Sequence, residues 1–310
     1  MSRLNCCLLV TLLIGSQLSA AVSAADGIPG IGPKGEVRKV HGDLQFTEGP
    51  TPDGRGGLYF SDIPANRIYH MDKSGKLAVF LEPSNHTNGL MFNRGRLLAC
   101  EMDGRLVAID VASKQTQAIA AQYNGQRFNA PNDLVVDRAG GIYFTDPHFR
   151  APTPLPQEVV AVYYATADGQ VTRLIDDLKA PNGVILSPDE KSLYVIPSQQ
   201  KQMMAYPVLA PGKIGEGKVF CELQQPEGQD NTGGDGLTVD TRGNLYITSG
   251  LGVQVYDPQG KLLGILSFPE QPANCTFGGP DNRTLYVTAR TSLYAVEMEA
   301  EGHIFPGKTE

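Results

Sequence analysis

The stretch Phe128-Asn-Ala-Pro-Asn-Asp-Leu-Val-Val-Asp-Arg-Ala-Gly-Gly-Ile-Tyr-Phe-Thr-Asp-Pro147 holds two apolar runs, Leu134–Val136 and Ile142–Phe144, joined by a polar turn containing Gly140 and Gly141. Short runs rich in β-branched and aromatic residues on either side of such a turn read as a β-hairpin. A polar pair, Asn132-Asp133, stands before the first strand, behind Pro131.

The second strand of this hairpin recurs along the chain. Its copies are Gly57-Leu58-Tyr59-Phe60-Ser61-Asp62, Arg96-Leu97-Leu98-Ala99, Gly141-Ile142-Tyr143-Phe144-Thr145-Asp146, Ser192-Leu193-Tyr194-Val195, Asn244-Leu245-Tyr246-Ile247-Thr248 and Thr284-Leu285-Tyr286-Val287-Thr288. The anchors Leu58, Leu97, Ile142, Leu193, Leu245 and Leu285 lie 39, 45, 51, 52 and 40 residues apart. A period of this length with about four strands per unit marks a propeller, because stacked helix pairs would show a 3.6-residue period. After the first anchor the chain continues as Arg67–Met71, turns at Asp72-Lys73-Ser74-Gly75 and returns as Lys76–Leu81; after the fifth it does the same around Asp257-Pro258-Gln259-Gly260. The expected fold is therefore an all-β, six-bladed propeller of four-stranded blades.

A ring of blades has to close, since an open edge leaves backbone groups unpaired. The last unit shows only three strands, so Glu36–His41 is expected to complete it, with N- and C-terminal strands sharing one blade. The chain then divides into a signal peptide over 1–24, a flexible Pro/Gly leader without a core role over 25–35, one propeller domain over 36–300 and a polar tail over 301–310. The signal reading rests on Arg3, the apolar run Cys6–Gly15 and the small residues Val22-Ser23-Ala24. A membrane anchor is the alternative, but Ser16 and Gln17 end the apolar run too early for a comfortable span. Export to the periplasm or the outside, with no membrane span left after cleavage, is expected.

Composition narrows the partners. The net charge of −7 argues against nucleic acid and anionic membrane surfaces. Glycine (35) and proline (22) are frequent, as many tight turns require. With Cys6 and Cys7 in the expected signal peptide, Cys100, Cys221 and Cys275 remain, an odd and widely spaced set that reads as buried thiols, a single bridge being the alternative. The longest departures from the repeat are Asp146–Val160 and Gln224–Gly234, where specificity or neutral insertion would reside.

One hairpin upstream of each anchor a polar residue opens the innermost strand: Glu48, Asn88, Asn132, Asn182, Asp235 and Asn274, at offsets of 10, 9, 10, 11, 10 and 11 residues. In a propeller these equivalent positions converge at one end of the central channel. Any one of them could be an ordinary turn cap; six at one offset make a ring. Two carboxylates and four amides are hard oxygen donors, suited to Ca²⁺, Mg²⁺ or Mn²⁺ and not to structural zinc. The five histidines form no ligand pair.

Glu48-Gly49-Pro50, Asn88-Gly89-Leu90, Arg127-Phe128-Asn129-Ala130-Pro131-Asn132-Asp133, Phe144-Thr145-Asp146-Pro147, Pro181-Asn182-Gly183, Ser187-Pro188-Asp189-Glu190, Asp235-Gly236-Leu237 and Phe277-Gly278-Gly279 together resemble the gluconolactonase/regucalcin (senescence marker protein) family, in its secreted bacterial gluconolactonase-like branch. The resemblance runs from about Leu44 to Tyr294 and implies a six-bladed propeller with one axial divalent cation, Ca²⁺ first, with Mg²⁺, Mn²⁺ or Zn²⁺ as substitutes. Carried over by position, it implies Glu48, Asn182 and Asp235 as metal ligands, with Asn132 as ligand or substrate contact. It makes Asp235 the catalytic general base, and Arg127, Asn132 and Asn88 contacts for a polyhydroxy substrate. Arg127 has a surface salt bridge as its alternative. Asp133, Asp146 and Asn274 are supports of that site, or in the case of the two acids simply satisfy turn backbones. Two departures stand out: Glu101-Met102-Asp103-Gly104 where a Glu-His-Gly-like segment is usual, and Gly234 where a proline usually precedes the last ligand, which should loosen that loop.

The implied activity is hydrolysis of a sugar lactone such as glucono-1,5-lactone to the aldonic acid, with the small-molecule lactone as partner and no protein partner. The alternatives are an aryl-ester or organophosphate hydrolase on the same metal, which a more apolar pocket would favour, and a non-catalytic ligand-binding propeller.

Overall fold

The computed structural model describes residues 27–305, and the expected signal peptide lies outside them. Among the described residues six sheets of four main strands are arranged in chain order. The first blade consists of Thr47–Pro52, Leu58–Asp62, Arg67–Met71 and Leu77–Leu81, the second of Thr87–Asn93, Arg96–Glu101, Arg105–Asp110 and Thr116–Ala120. The third is Leu134–Val136, Ile142–Asp146, Ala161–Ala165 and Val171–Ile175, and the fourth Pro181–Leu186, Ser192–Pro197, Gln202–Ala210 and Lys218–Glu222, carrying an extra short strand at Lys213–Ile214. The fifth is Leu237–Val239, Leu245–Ser249, Gly252–Tyr256 and Leu262–Leu266. The sixth takes Pro272–Gly278, Thr284–Ala289 and Ser292–Glu297 from the C-terminal part and Arg38–His41 from the N-terminal part, paired antiparallel as Arg38 with Ala295 and Lys39 with Tyr294. The fold is the all-β six-bladed propeller the repeat implies, closed at its sixth blade.

The repeated anchor motif has a packing reason. Side chains alternate across a strand, and an anchor strand is sandwiched between two neighbouring blades, so both of its faces are buried. In Leu58–Asp62 every residue is buried, whereas the outer strand Leu77–Leu81 is mostly exposed. Leu58 and Phe60 pack with Leu293 of the sixth blade, while Tyr59 between them packs with Leu90 and Leu97 of the second. Ile142 and Phe144 likewise face the second blade and Tyr143 the fourth. In the first and third motifs the first and third residues thus belong to the preceding interface and the tyrosine to the following one, and in the second motif Leu98 takes the place of the tyrosine.

Two segments differ from expectation. The leader is docked: Ile28 and Ile31 are buried against the core between the fifth and sixth blades, and Lys34 donates to the Glu297 carbonyl at 2.8 Å. Two isoleucines among six glycines and prolines suffice to seat it, because the groove beside Met298 accepts a backbone at Gly32 only without a Cβ. The tail is structural as far as Phe305. Gly302 donates to the Asn282 carbonyl at 2.8 Å and His303 to the Val239 carbonyl at 3.0 Å. Phe305 then packs against the cores of the middle blades, in company with Met91 of the second. Cys100, Cys221 and Cys275 are free and buried. Among the described residues no helix is long and apolar enough to cross a membrane.

Candidate functional site

The inner strands reach the propeller axis at the six ring positions, and the sequence there is built for close approach. The pairing of inner and anchor strands shifts register between Glu48 and Thr51, Thr87 and Leu90, Pro181 and Val184, and Pro272 and Asn274. Such bulges bend a strand and re-aim its side chains. Glycine follows the ring residue where neighbouring backbones nearly touch. A Cβ on Gly49, whose φ is +47°, would lie 2.2 Å from the Asn88 carbonyl, and one on Gly183 would lie 2.5 Å from the Asp235 carbonyl. Backbone bonds link the turns: Gly89 N to Asn132 O at 2.7 Å, Gly183 N to Asp235 O at 3.0 Å and Gly236 N to Ala273 O at 2.8 Å.

The ring residues Glu48, Asn88, Asn132, Asn182 and Asn274 are 3–6% exposed, so their polar groups are committed to the interior; Asp235 keeps a partly exposed edge. Asn182 Nδ2 donates to Asp235 Oδ1 at 2.6 Å and to Ser198 Oγ at 2.9 Å, which leaves Asn182 Oδ1 and Asp235 Oδ2 without protein partners among the described residues. Glu48 Oε2 accepts from the Gly49 amide at 3.0 Å, and the Asn274 side chain also hydrogen-bonds this carboxylate. Burial, then the charge of Asp235, pushes the Glu48 carboxyl well above its ordinary range. Burial also raises Asp235, with the Asn182 hydrogen bond and the Arg290 guanidinium pulling it back. Two acids that burden each other, met by amide N–H groups of Asn182 and Asn274 and, among the described residues, by no cation in contact, form a centre short of positive charge.

The supporting residues separate in role. Asp133 lies on the inner side of the ring, where its Oδ1 accepts from the Leu134 amide at 2.9 Å, and burial pushes its carboxyl up to about 7. Asp146 satisfies a turn: its oxygens accept from the Asn129 and Ala130 amides at 2.8 and 2.7 Å. That turn leads into Asn132, and Asp62 holds Gln45 and Phe46 ahead of Glu48 in the same way. Arg127 is not free to reach into the site. Its Nε donates to the Phe128 carbonyl at 2.9 Å and its Nη2 to the Asn129 carbonyl at 3.0 Å, so neither the substrate contact nor the salt bridge is what this conformation provides.

Hydroxyls of the anchor strands were not singled out by the sequence reading. Ser61 Oγ donates to the Asn88 carbonyl at 2.8 Å, Thr145 Oγ1 to the Asn182 carbonyl at 2.6 Å and Thr248 Oγ1 to the Ala273 carbonyl at 2.7 Å. Each fixes the ring strand of the following blade. The signal lay in the repeat itself, since Ser61, Thr145, Thr248 and Thr288 all stand three residues after their anchors.

Above the ring a cavity of about 340 Å³ has Asp235 on its floor and Ser198, Gln229, Thr232, Ser249 and Gln271 among its walls. This is the lower end of the size range of small-ligand sites. Gly234 beside Asp235 is held rather than loose: Ser198 Oγ donates to its carbonyl at 2.9 Å, and a Cβ would meet Ile196 at 2.7 Å. On the other side of the same face Ile63, Met102 and Ala130, joined by Phe46 and Phe149, form an apolar patch; Met102 is core there. Below the ring an axial cavity of about 100 Å³, reached by Asp133 and Asn274, ends at His303–Phe305; it is too small for a sugar.

Residues 46–291 match the family described as the SMP-30/Gluconolactonase/LRE-like region. The chain is 29% identical over 294 residues to a gluconolactonase of Zymomonas mobilis, covering 86% of this chain and 82% of that one. It is 26% identical to the regucalcin of Oryctolagus cuniculus over 248 residues, 78% of this chain and 82% of that one. A solved gluconolactonase from Xanthomonas campestris superposes with a TM-score of 0.78 at 30% identity, covering 85% of this chain and 89% of that one. With the axial ring in place and the match spanning most of the propeller, the chain belongs to the SMP-30/gluconolactonase/LRE-like family.

Proposed function

We propose that this protein hydrolyses a sugar lactone to its aldonic acid, with a divalent cation, calcium first, held by Glu48, Asn182 and Asp235 and with Asn132 beside them. The observation that carries the reading is the Asn182–Asp235 pair, with an unpartnered oxygen on each side chain and the charge of Asp235 felt by the buried Glu48 carboxylate, where Asp235 lines a cavity walled by hydroxyls and amides. Among the described residues no three His, Cys, Asp or Glu side chains come together as a metal cluster, so an ion here has to draw on the amides as well as the acids. Such an oxygen set fits a hard dication, and the surplus of buried negative charge gives it a reason to bind. Lewis acidity toward the lactone carbonyl is the chemistry a bound cation would supply.

The chain's own residues do the rest. Asp235 Oδ2, free of protein partners, accepts a proton from the attacking water while Asn182 holds Oδ1 and thereby the plane of the carboxylate. The water oxygen bonds to the carbonyl carbon, the ring C–O bond breaks, and the departing ring oxygen takes back the proton that Asp235 accepted, which returns the carboxylate to its starting state. Ser198, Thr232, Ser249 and the glutamines face the substrate hydroxyls, which a sugar lactone has and a phosphotriester lacks. The apolar patch around Met102 favours an aryl ester as a second reading.

The deciding assay is hydrolysis of D-glucono-1,5-lactone by metal-stripped enzyme with Ca²⁺, Mg²⁺, Mn²⁺ or Zn²⁺ added back, run beside phenyl acetate and a phosphotriester. Turnover of the lactone restored by a cation is expected; turnover of the aryl ester alone would transfer the assignment to the second reading. We further propose that the protein is exported, which N-terminal sequencing of the mature chain tests.

A further inference from the structure

One wall of the cavity over Asp235 is Gln271, and Gln271 Oε1 accepts a 2.5 Å hydrogen bond from Arg290 Nη2. The same guanidinium lies over the Phe46 ring, 5.5 Å from its centroid. The Arg290 carbonyl accepts from the Thr47 amide at 2.8 Å, one residue before Glu48. Arg290 is therefore held on three sides across the seam between the sixth and first blades, at the mouth of the site. Its charge reaches the Asp235 carboxylate. Among the described residues no carboxylate forms an ion pair with it, whereas the comparable donors of Arg127 are spent on backbone carbonyls.

A guanidinium presents a planar fork that matches a carboxylate, and charge-assisted hydrogen bonds are roughly twice as strong as neutral ones. Opening a neutral lactone creates a carboxylate: water supplies the oxygen, the ring oxygen becomes a hydroxyl, and the acid releases its proton to solvent. We infer that Arg290 recognises the carboxylate of the aldonate product and so sets product affinity separately from substrate affinity. This rests on the lactonase reading above and deepens it.

The test uses the calcium-supplemented full chain with D-gluconate, as an inhibitor of lactone hydrolysis and in a calorimetric titration, for wild type, Arg290→Gln and Arg290→Lys. The gluconate constant is expected to weaken about tenfold in R290Q, as loss of a charged hydrogen bond implies, with the lactone KM nearly unchanged. R290K should fall between, because an ammonium keeps the charge without the fork. An unchanged gluconate constant in an active R290Q enzyme overturns the inference, and so does an equal rise in KM. A wild-type enzyme that turns over no lactone overturns the parent reading and this inference with it, a result visible before any substitution is made.

Discussion

Asn182 Nδ2 lies 2.6 Å from Asp235 Oδ1, so a residue of the fourth blade sets the orientation of the acid of the fifth. Asp235→Asn removes the proton acceptor but keeps the shape, and kcat is expected to fall about 10²–10⁴-fold, the usual worth of a general base. The protein should still fold, and slightly better without cation, since one of two mutually repelling acids is gone. Lactone turnover followed together with a circular-dichroism melt checks both parts.

Cation binding should appear as stability. A ligand at 100 times its Kd adds about 2.7 kcal/mol to the folded state, so calcium should raise the melting temperature of stripped wild-type protein. In Glu48→Gln the calcium-induced rise should shrink while the stripped protein melts higher at neutral pH, because burial and Asp235 disfavour the ionised form that Glu48 takes up in the unfolded chain, a cost glutamine does not carry. Calorimetric melts with and without calcium measure this directly.

Thr145→Val keeps the size of the side chain and deletes the hydroxyl that holds the Asn182 carbonyl at 2.6 Å. A buried carbonyl left without its partner costs about 1–3 kcal/mol. The loss should appear in urea unfolding, accompanied by weaker calcium affinity because Asn182 is no longer fixed. A variant with wild-type stability and affinity would deny the hydroxyl its role.

Burial holds the Asp146 carboxyl up at about 7, against the opposing pull of the Asn129 and Ala130 amides. A carboxyl raised on folding binds its proton more tightly in the native than in the unfolded chain. Its contribution is complete below the unfolded value and is lost as pH rises through about 7. Urea unfolding of stripped protein at pH 5 and pH 8 should show lower stability at the higher pH. Each pH unit in that window raises the unfolding constant up to about tenfold through this group, and Asp146→Asn should flatten the slope.

The propeller was legible because every anchor strand carries two buried faces, and Leu58, Ile142 and Leu245 repeat a pattern that hydrophobicity alone reveals. The ring was legible because its side chains sit at one offset from those anchors. The Thr145 clamp was harder to see, since its partner is a backbone carbonyl of another blade, and backbone carbonyls leave no mark in a sequence. Arg127 was expected to contact substrate because nothing in its sequence neighbourhood shows that the Phe128 and Asn129 carbonyls turn back toward it. The leader and tail looked featureless because Ile28, Ile31 and Phe305 are isolated apolar residues whose receiving grooves are built by distant segments.

Gly302–Phe305 pass across the far end of the axial channel, from Val239 and Asn282 toward Met91. Among the described residues that end is covered by backbone, so the proposed substrate and product would share the doorway over Asp235. Whatever loops surround that doorway govern loading and clearance together, and a bulky group added there would slow both directions at once.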